Sequence, residues 1–138
     1  MKKQRGQVII EFALILPLFL LMIFGLIYSG MLFHDYSTLS NVARSAAREA
    51  AITQDVSEDD DNIVKKYYKS DTNTFVDGLI TGLYAPKPGS ALKIHVDDTT
   101  TPYDILVTIT MRRNASLPWI EIVVPEEFTI KYHMRKDI

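Results

Sequence analysis

The chain contains no cysteine, which excludes disulfides, thiolate metal centres and cysteine nucleophiles. Charge is missing from one long stretch: between Phe12 and Phe33 there is no Asp, Glu, Lys or Arg. There is no glycine-rich phosphate loop, no H-E-x-x-H and no G-x-S-x-G. His34, His95 and His133 lie far apart, with no carboxylate at metal-ligand spacing. The chain lacks a basic patch interleaved with aromatics, the footprint of nucleic-acid binding. These absences argue against an enzyme, a metal site, a cofactor and a nucleic-acid partner.

What is present begins with the apolar run. About 20 apolar residues span a bilayer as a helix, and Phe12 to Phe33 meets that length. The other partner this implies is membrane lipid. The formal net charge is −2, and Lys2, Lys3 and Arg5 all precede the run; without those three cations it becomes −5. By the positive-inside rule, this basic leader, residues 1–6, stays cytoplasmic and the hundred or so residues after the run are extracytoplasmic. A cleaved secretory signal fits poorly, because the apolar core is too long and no A-x-A-like pair follows it between Gly25 and Phe33. Pro17 removes a backbone donor inside the run and loosens the helix there.

Glu11 stands at the entrance to this run. An acid at membrane depth costs about 2.5–3.5 kcal/mol at the helix centre and less near the interface. It either snorkels to the headgroups or is held for an opposite charge on another subunit.

The combination of Gly6, four residues, then Glu11-Phe12 opening an apolar helix after a short basic leader resembles the processing site of type IV pilin-like precursors. With Pro17 and the later segment Asn41 to Ala50, it resembles the TadE-like proteins, pseudopilins of tight-adherence (Flp) pilus systems. The resemblance covers roughly the first 51 residues. It implies a bacterial cytoplasmic-membrane protein cut by a prepilin peptidase between Gly6 and Gln7, leaving Glu11 fifth in the mature chain. It also implies that the amine of Gln7 on one subunit pairs with Glu11 of the next. The implied partners are the peptidase, other pilin or pseudopilin subunits and the pilus assembly machinery, with the pilus itself a further location after assembly.

From His34 to Ile52 there is no glycine or proline, so the helix continues and spans residues 7–52. Leu39, Ala43, Ala46 and Ala50 recur on one face. Gly25 with Ser29, Ala43 with Ala47, and Ala47 with Ala51 are small residues four apart, a spacing that admits close helix approach. They pack either neighbouring subunits or the protein's own sheet, unless the alanines simply favour helix. Arg44 and Arg48 read as solvated or locally paired.

Residues 53–138 read as an extracytoplasmic α+β domain in which short helices cover a three- to four-stranded antiparallel sheet. Ser57 ahead of Glu58-Asp59-Asp60-Asp61 predicts a cap and a helix from Glu58 to Lys69. The acids do not keep the register of a calcium loop. A second helix is predicted from Asn73 to Tyr84, with Phe75, Leu79 and Leu83 on one face. Ala85 to Ser90, with two prolines and a glycine, ends helical structure. Period-two alternation predicts strands at Leu92 to Val96, Ile105 to Met111 and Phe128 to Met134, the first two joined as a hairpin by Asp97 to Pro102. On these strands His95 and His133 fall on the polar side. Trp119 to Val124 reads as an edge strand or an exposed contact loop.

Two functions fit. One is a pilin-like assembly subunit. The other is an uncleaved single-pass anchored protein whose extracytoplasmic domain captures a partner or surface.

Overall fold

A computed structural model describes residues 2–53, 56–76, 80–97, 99, 103–114 and 124–136, with side chains from Gln7 onward. Trp119, most of the segment around it, Leu79, Ala115 and Ser116 lie outside the described residues. The first helix, α1, runs Lys2–Ile52, unbroken through Pro17. Two compact units divide the chain, Met1–Leu32 and Phe33–Ile138.

The first unit is helix alone. Val8, Ile9, Ile10, Phe12, Leu14, Leu18 and Leu21 are among its many exposed apolar side chains. Exposure of this kind is unstable in water and appropriate to lipid. Proline at position 17 has no N–H to give, which leaves the carbonyl of Ala13 without its helical donor.

In the second unit α1 becomes one-sided. Asp35, Leu39, Val42, Ala43, Ala46, Ala47 and Ala50 are buried, a spacing of three and four that forms one helical stripe. The stripe faces a four-stranded antiparallel sheet. After α2 (Asp61–Tyr67) come β1 (Tyr68–Lys69), β2 (Thr74–Phe75), β3 (Tyr84–Pro86), β4 (Leu92–Asp97), β5 (Tyr103–Arg113) and β6 (Glu127–Lys136). The strand β5 is central: β3 and β4 both pair with it, and so does β6, while β1 and β2 form a separate small hairpin.

Alternation along β5 separates the faces. Ile105, Val107, Ile109 and Met111 are wholly buried. They share the helix-facing side with Leu92 and Ile94 of β4 and with Phe128, Ile130, Tyr132 and Met134 of β6. The α1 helix lies along β6. The ring of Tyr36 stands 6.1 Å from that of Phe128, Arg44 lies 5.7 Å from the centre of the Tyr132 ring, and Lys136 Nζ donates to the Thr53 carbonyl at 2.6 Å. Eight helical residues rise about 12 Å and four strand residues about 13 Å, so the first two contacts keep step.

Two sequence expectations are corrected. The helix beginning at Glu58 is shorter: α2 is Asp61–Tyr67, and its cap is Asp60, not Ser57, with the Asp60 carboxylate accepting from the Asn62 N–H at 2.9 Å. Asp59 has already taken a positive φ of 50°, which prevents the helix from starting earlier. The described residues of the second predicted helix, Asn73 to Tyr84, are not helical. Asn73 adopts φ 51°, a left-handed conformation asparagine tolerates. It closes a hairpin in which Tyr68 pairs with Phe75 and Lys69 with Thr74. Gly82 at φ 88° then turns the chain into β3, a strand that the apolar spacing of Leu83 concealed.

Candidate functional site

The sequence directs attention to the start of α1. Lys2 to Gly6 are helical, so the Gly6–Gln7 bond lies within helical backbone. Gln7, Glu11, Phe12 and Pro17 are all exposed. Gln7 and Glu11 are one turn apart on the same side of the helix. Among the described residues Glu11 has no hydrogen-bond or ion-pair partner. An ionised carboxylate only accepts, so this position suits an amine or guanidinium brought from outside the chain.

The small-residue pairs separate into two groups. Gly25 is half-exposed and Ser29 exposed, and a Cβ added at Gly25 meets no described atom within 4 Å. This helix surface is open. Ala43 and Ala47, by contrast, are 0% exposed and lie in the stripe that the sheet covers; Ala51 is half-buried. Both alanines are buried within the second unit, whereas Gly25 and Ser29 are not buried.

Arg44 lies over Tyr132, while Arg48 is exposed. Glu49, next on the helix, receives Lys66 Nζ at 2.9 Å and the Tyr67 hydroxyl at 3.2 Å, fastening α2 to α1. The hydrogen bond to Glu49 and its negative charge raise the pKa of Lys66. Burial raises the Tyr67 hydroxyl as well.

The residue not identified from sequence is Asp35. It is the one buried charged residue among those described, at 0% exposure. Its carboxylate takes two bonds from one threonine: Thr81 N–H to Oδ1 at 2.8 Å and Thr81 Oγ1 to Oδ2 at 2.8 Å. Its legible signal was position, one turn before Leu39 on the helical stripe that goes inward. Nearby, Tyr84 is 1% exposed and donates to the Pro125 carbonyl at 2.8 Å. Burial raises its hydroxyl pKa, Arg113 opposes that shift and Asp35 adds to it.

His95 and His133 are both exposed and each faces one carboxylate, Glu58 at 2.6 Å and Asp104 at 3.3 Å. Among the described residues no three His, Asp or Glu side chains gather as a metal site. An open groove of about 470 Å³ runs beside Asp59, Asp61, Lys65, Tyr68, Asn73 and Lys93. Its polar groups are largely engaged with one another: Asp59 accepts from Ile94 N–H, Asp61 holds Lys65, and Tyr68 donates to Asn73. That arrangement describes structure more than chemistry.

The fold and surface therefore define a class: an α+β protein whose N-terminal helix is long and apolar enough for single-pass membrane anchoring. The sequence model of the family described as TadE-like protein matches residues 6–48, about a third of the chain, so this segment is similar to TadE-like proteins, a kind tied to tight-adherence pilus systems. Proteins of that kind are structural rather than enzymatic. No curated protein and no solved structure matches the chain.

Proposed function

We propose that this chain is a pseudopilin that takes part in assembling a tight-adherence pilus, processed between Gly6 and Gln7 and incorporated through its N-terminal helix. The observation that carries the reading is Glu11, an exposed acid with no partner among the described residues, at the head of an uncovered apolar helix. Leaving an acid at a membrane edge is costly, and a charge supplied by a neighbouring subunit offsets that cost. The α-amine of Gln7, released by a prepilin peptidase, supplies it without any further side chain. Gly25 and Ser29 give the same helix an open stripe for close approach. In this reading the leader, residues 1–6, is cytoplasmic and the domain extracytoplasmic, at the bacterial inner membrane and then in the pilus.

The rival function is a permanent anchor whose extracytoplasmic domain captures a partner. The two differ at one bond. Intact-mass analysis of the protein from cells with active prepilin peptidase should give a chain starting at Gln7; a chain starting at Met1 rejects processing. Glu11→Val should still insert in the membrane yet lose incorporation into sheared pili, and normal incorporation of that variant rejects the charge contact.

A further inference from the structure

Among the described residues one edge of the sheet is closed and the other is open. Asp59 donates its N–H to the Ile94 carbonyl at 2.9 Å, and its Oδ1 accepts from the Ile94 N–H at 2.9 Å. Both backbone groups of Ile94 therefore point away from β5. Antiparallel pairs alternate in the direction of their backbone groups, so Val107, which stands opposite Ile94, turns its own groups toward Tyr132 of β6. The bond from Arg113 N–H to the Glu126 carbonyl, and that from Thr110 N–H to the Ala91 carbonyl on the opposite side, keep the same alternation. It follows that Thr129, Lys131, His133 and Arg135 present their N–H and C=O groups at the outer edge of β6, unpaired among the described residues.

Unpaired edges recruit strands unless charge or shape opposes it. Here the charge is selective. The side chains of Lys131, His133 and Arg135 are exposed on the sheet face away from α1, with Lys93 on the same face across Thr108. Among the described residues Lys93, Lys131 and Arg135 have no ion pair, whereas the acids on that face are engaged: Asp97 by Thr99, Asp104 by His133 and Glu127 by Lys87. A second copy of β6 added antiparallel would set this cationic row against itself, which is unfavourable. On the helix-facing side of the same strand, Phe128, Tyr132 and Met134 are half-buried, leaving apolar surface beside the edge.

We propose that the outer edge of β6 is a docking edge for an extended partner segment alternating acidic and apolar residues, which joins the sheet as an added strand. Backbone bonds to Thr129, Lys131, His133 and Arg135 hold the strand. Its acids lie beside Lys131 and Arg135, and its apolar residues beside Phe128 and Tyr132. This contact does not depend on Gly6 processing or on the N-terminal helix.

The test uses the full chain in nonionic detergent and a fluorescent peptide of alternating Glu and Val, followed by anisotropy. Binding should weaken at least tenfold in Lys131→Pro, which removes an outward N–H and leaves the ladder to β5 complete. The same peptide N-methylated at alternate residues should also bind at least tenfold more weakly to the unmodified protein, a result independent of how the variant folds. A Lys-Val peptide should bind more weakly than Glu-Val. Equal binding of the N-methylated peptide or of the Lys-Val peptide, or no binding of the Glu-Val peptide, overturns the proposal.

Discussion

Asp35 and Thr81 are joined twice, each carboxylate oxygen 2.8 Å from a donor of the same threonine. The pair ties α1 to the segment entering β3, and it does so with no exposed surface on the acid. Deleting one donor leaves a buried acceptor short of a bond, a cost of about 1–3 kcal/mol. Thr81→Val should therefore lower domain stability by that amount. Asp35→Ala should cost more, because it opens a cavity and strands both Thr81 donors. Asp35→Asn should be mildest, since its carbonyl still accepts from the backbone and the Thr81 hydroxyl can rotate to accept from its amide. Thermal unfolding in detergent, followed by near-UV circular dichroism, gives the order; Asp35→Asn as damaging as Asp35→Ala would contradict it.

The alanines of α1 make a second prediction. Ala43 and Ala47 are fully buried under the sheet, so Ala47→Leu must displace packed strands and should destabilise the domain by about 1–3 kcal/mol. Gly25→Ala adds a methyl group to open space and should leave the domain's melting temperature unchanged. If the two variants shift melting alike, the division between covered and open small residues is wrong.

Much of this architecture was legible because its signals were periodic. The β4, β5 and β6 strands announced themselves by alternation, and the inner stripe of α1 by Leu39, Ala43, Ala46 and Ala50. The failures came where periodicity was short or accidental. Phe75, Leu79 and Leu83 carry a helical spacing, yet the left-handed Asn73 and Gly82 decide the backbone, and β3 has only Tyr84–Pro86 to reveal it. The α2 cap moved from Ser57 to Asp60 because Asp59 was recruited to close the β4 edge, a tertiary bond invisible to local reading. Around the candidate site, Glu11 stood out as an acid against an apolar run. Asp35 did not, because it follows His34 where the sequence already turns polar, and only the finished stripe shows it facing inward.

Alkali should loosen the domain. Burial raises the pKa of Tyr84, Tyr67 and Tyr68 from 10.0, and the bond to Glu49 raises that of Lys66 from 10.5. A group raised on folding contributes stability fully below its unfolded pKa and loses it as pH climbs through the folded value. The loss should begin near pH 10. Tyr84→Phe removes one such proton and should flatten the alkaline slope by up to about 1.4 kcal/mol per pH unit, while forfeiting the bond to Pro125 at neutral pH. Asp97 acts in the opposite sense: Thr99 lowers it from 3.8, so its contribution is present above that pH and is lost as pH falls through the lower folded value. Urea midpoints across pH for the two proteins measure the slope, and parallel profiles above pH 10 would remove Tyr84 from the account.

The contacts between α1 and β6 should be unequal despite keeping step. Tyr36 against Phe128, which also meets Tyr84 edge-on at 4.6 Å, is an aromatic cluster in which each pair is worth about 0.5–1.5 kcal/mol beyond area. Arg44 over Tyr132 is an exposed cation–π contact worth about 0.5–1 kcal/mol. Lys136 places a cation on the Thr53 carbonyl at the C-terminal end of the helix, where the macrodipole favours it by about 0.3–1 kcal/mol. Phe128→Ala should therefore exceed Arg44→Ala and Lys136→Met in lost stability, by a factor of two or more, since it also vacates the space between two rings. The Arg44→Ala and Lys136→Met effects should shrink in high salt, because charge near the surface is screened, whereas the Phe128→Ala effect should not. Melting curves for the three variants at low and high ionic strength decide it; a salt-sensitive Phe128→Ala would mean that the rings are not what holds α1 to β6.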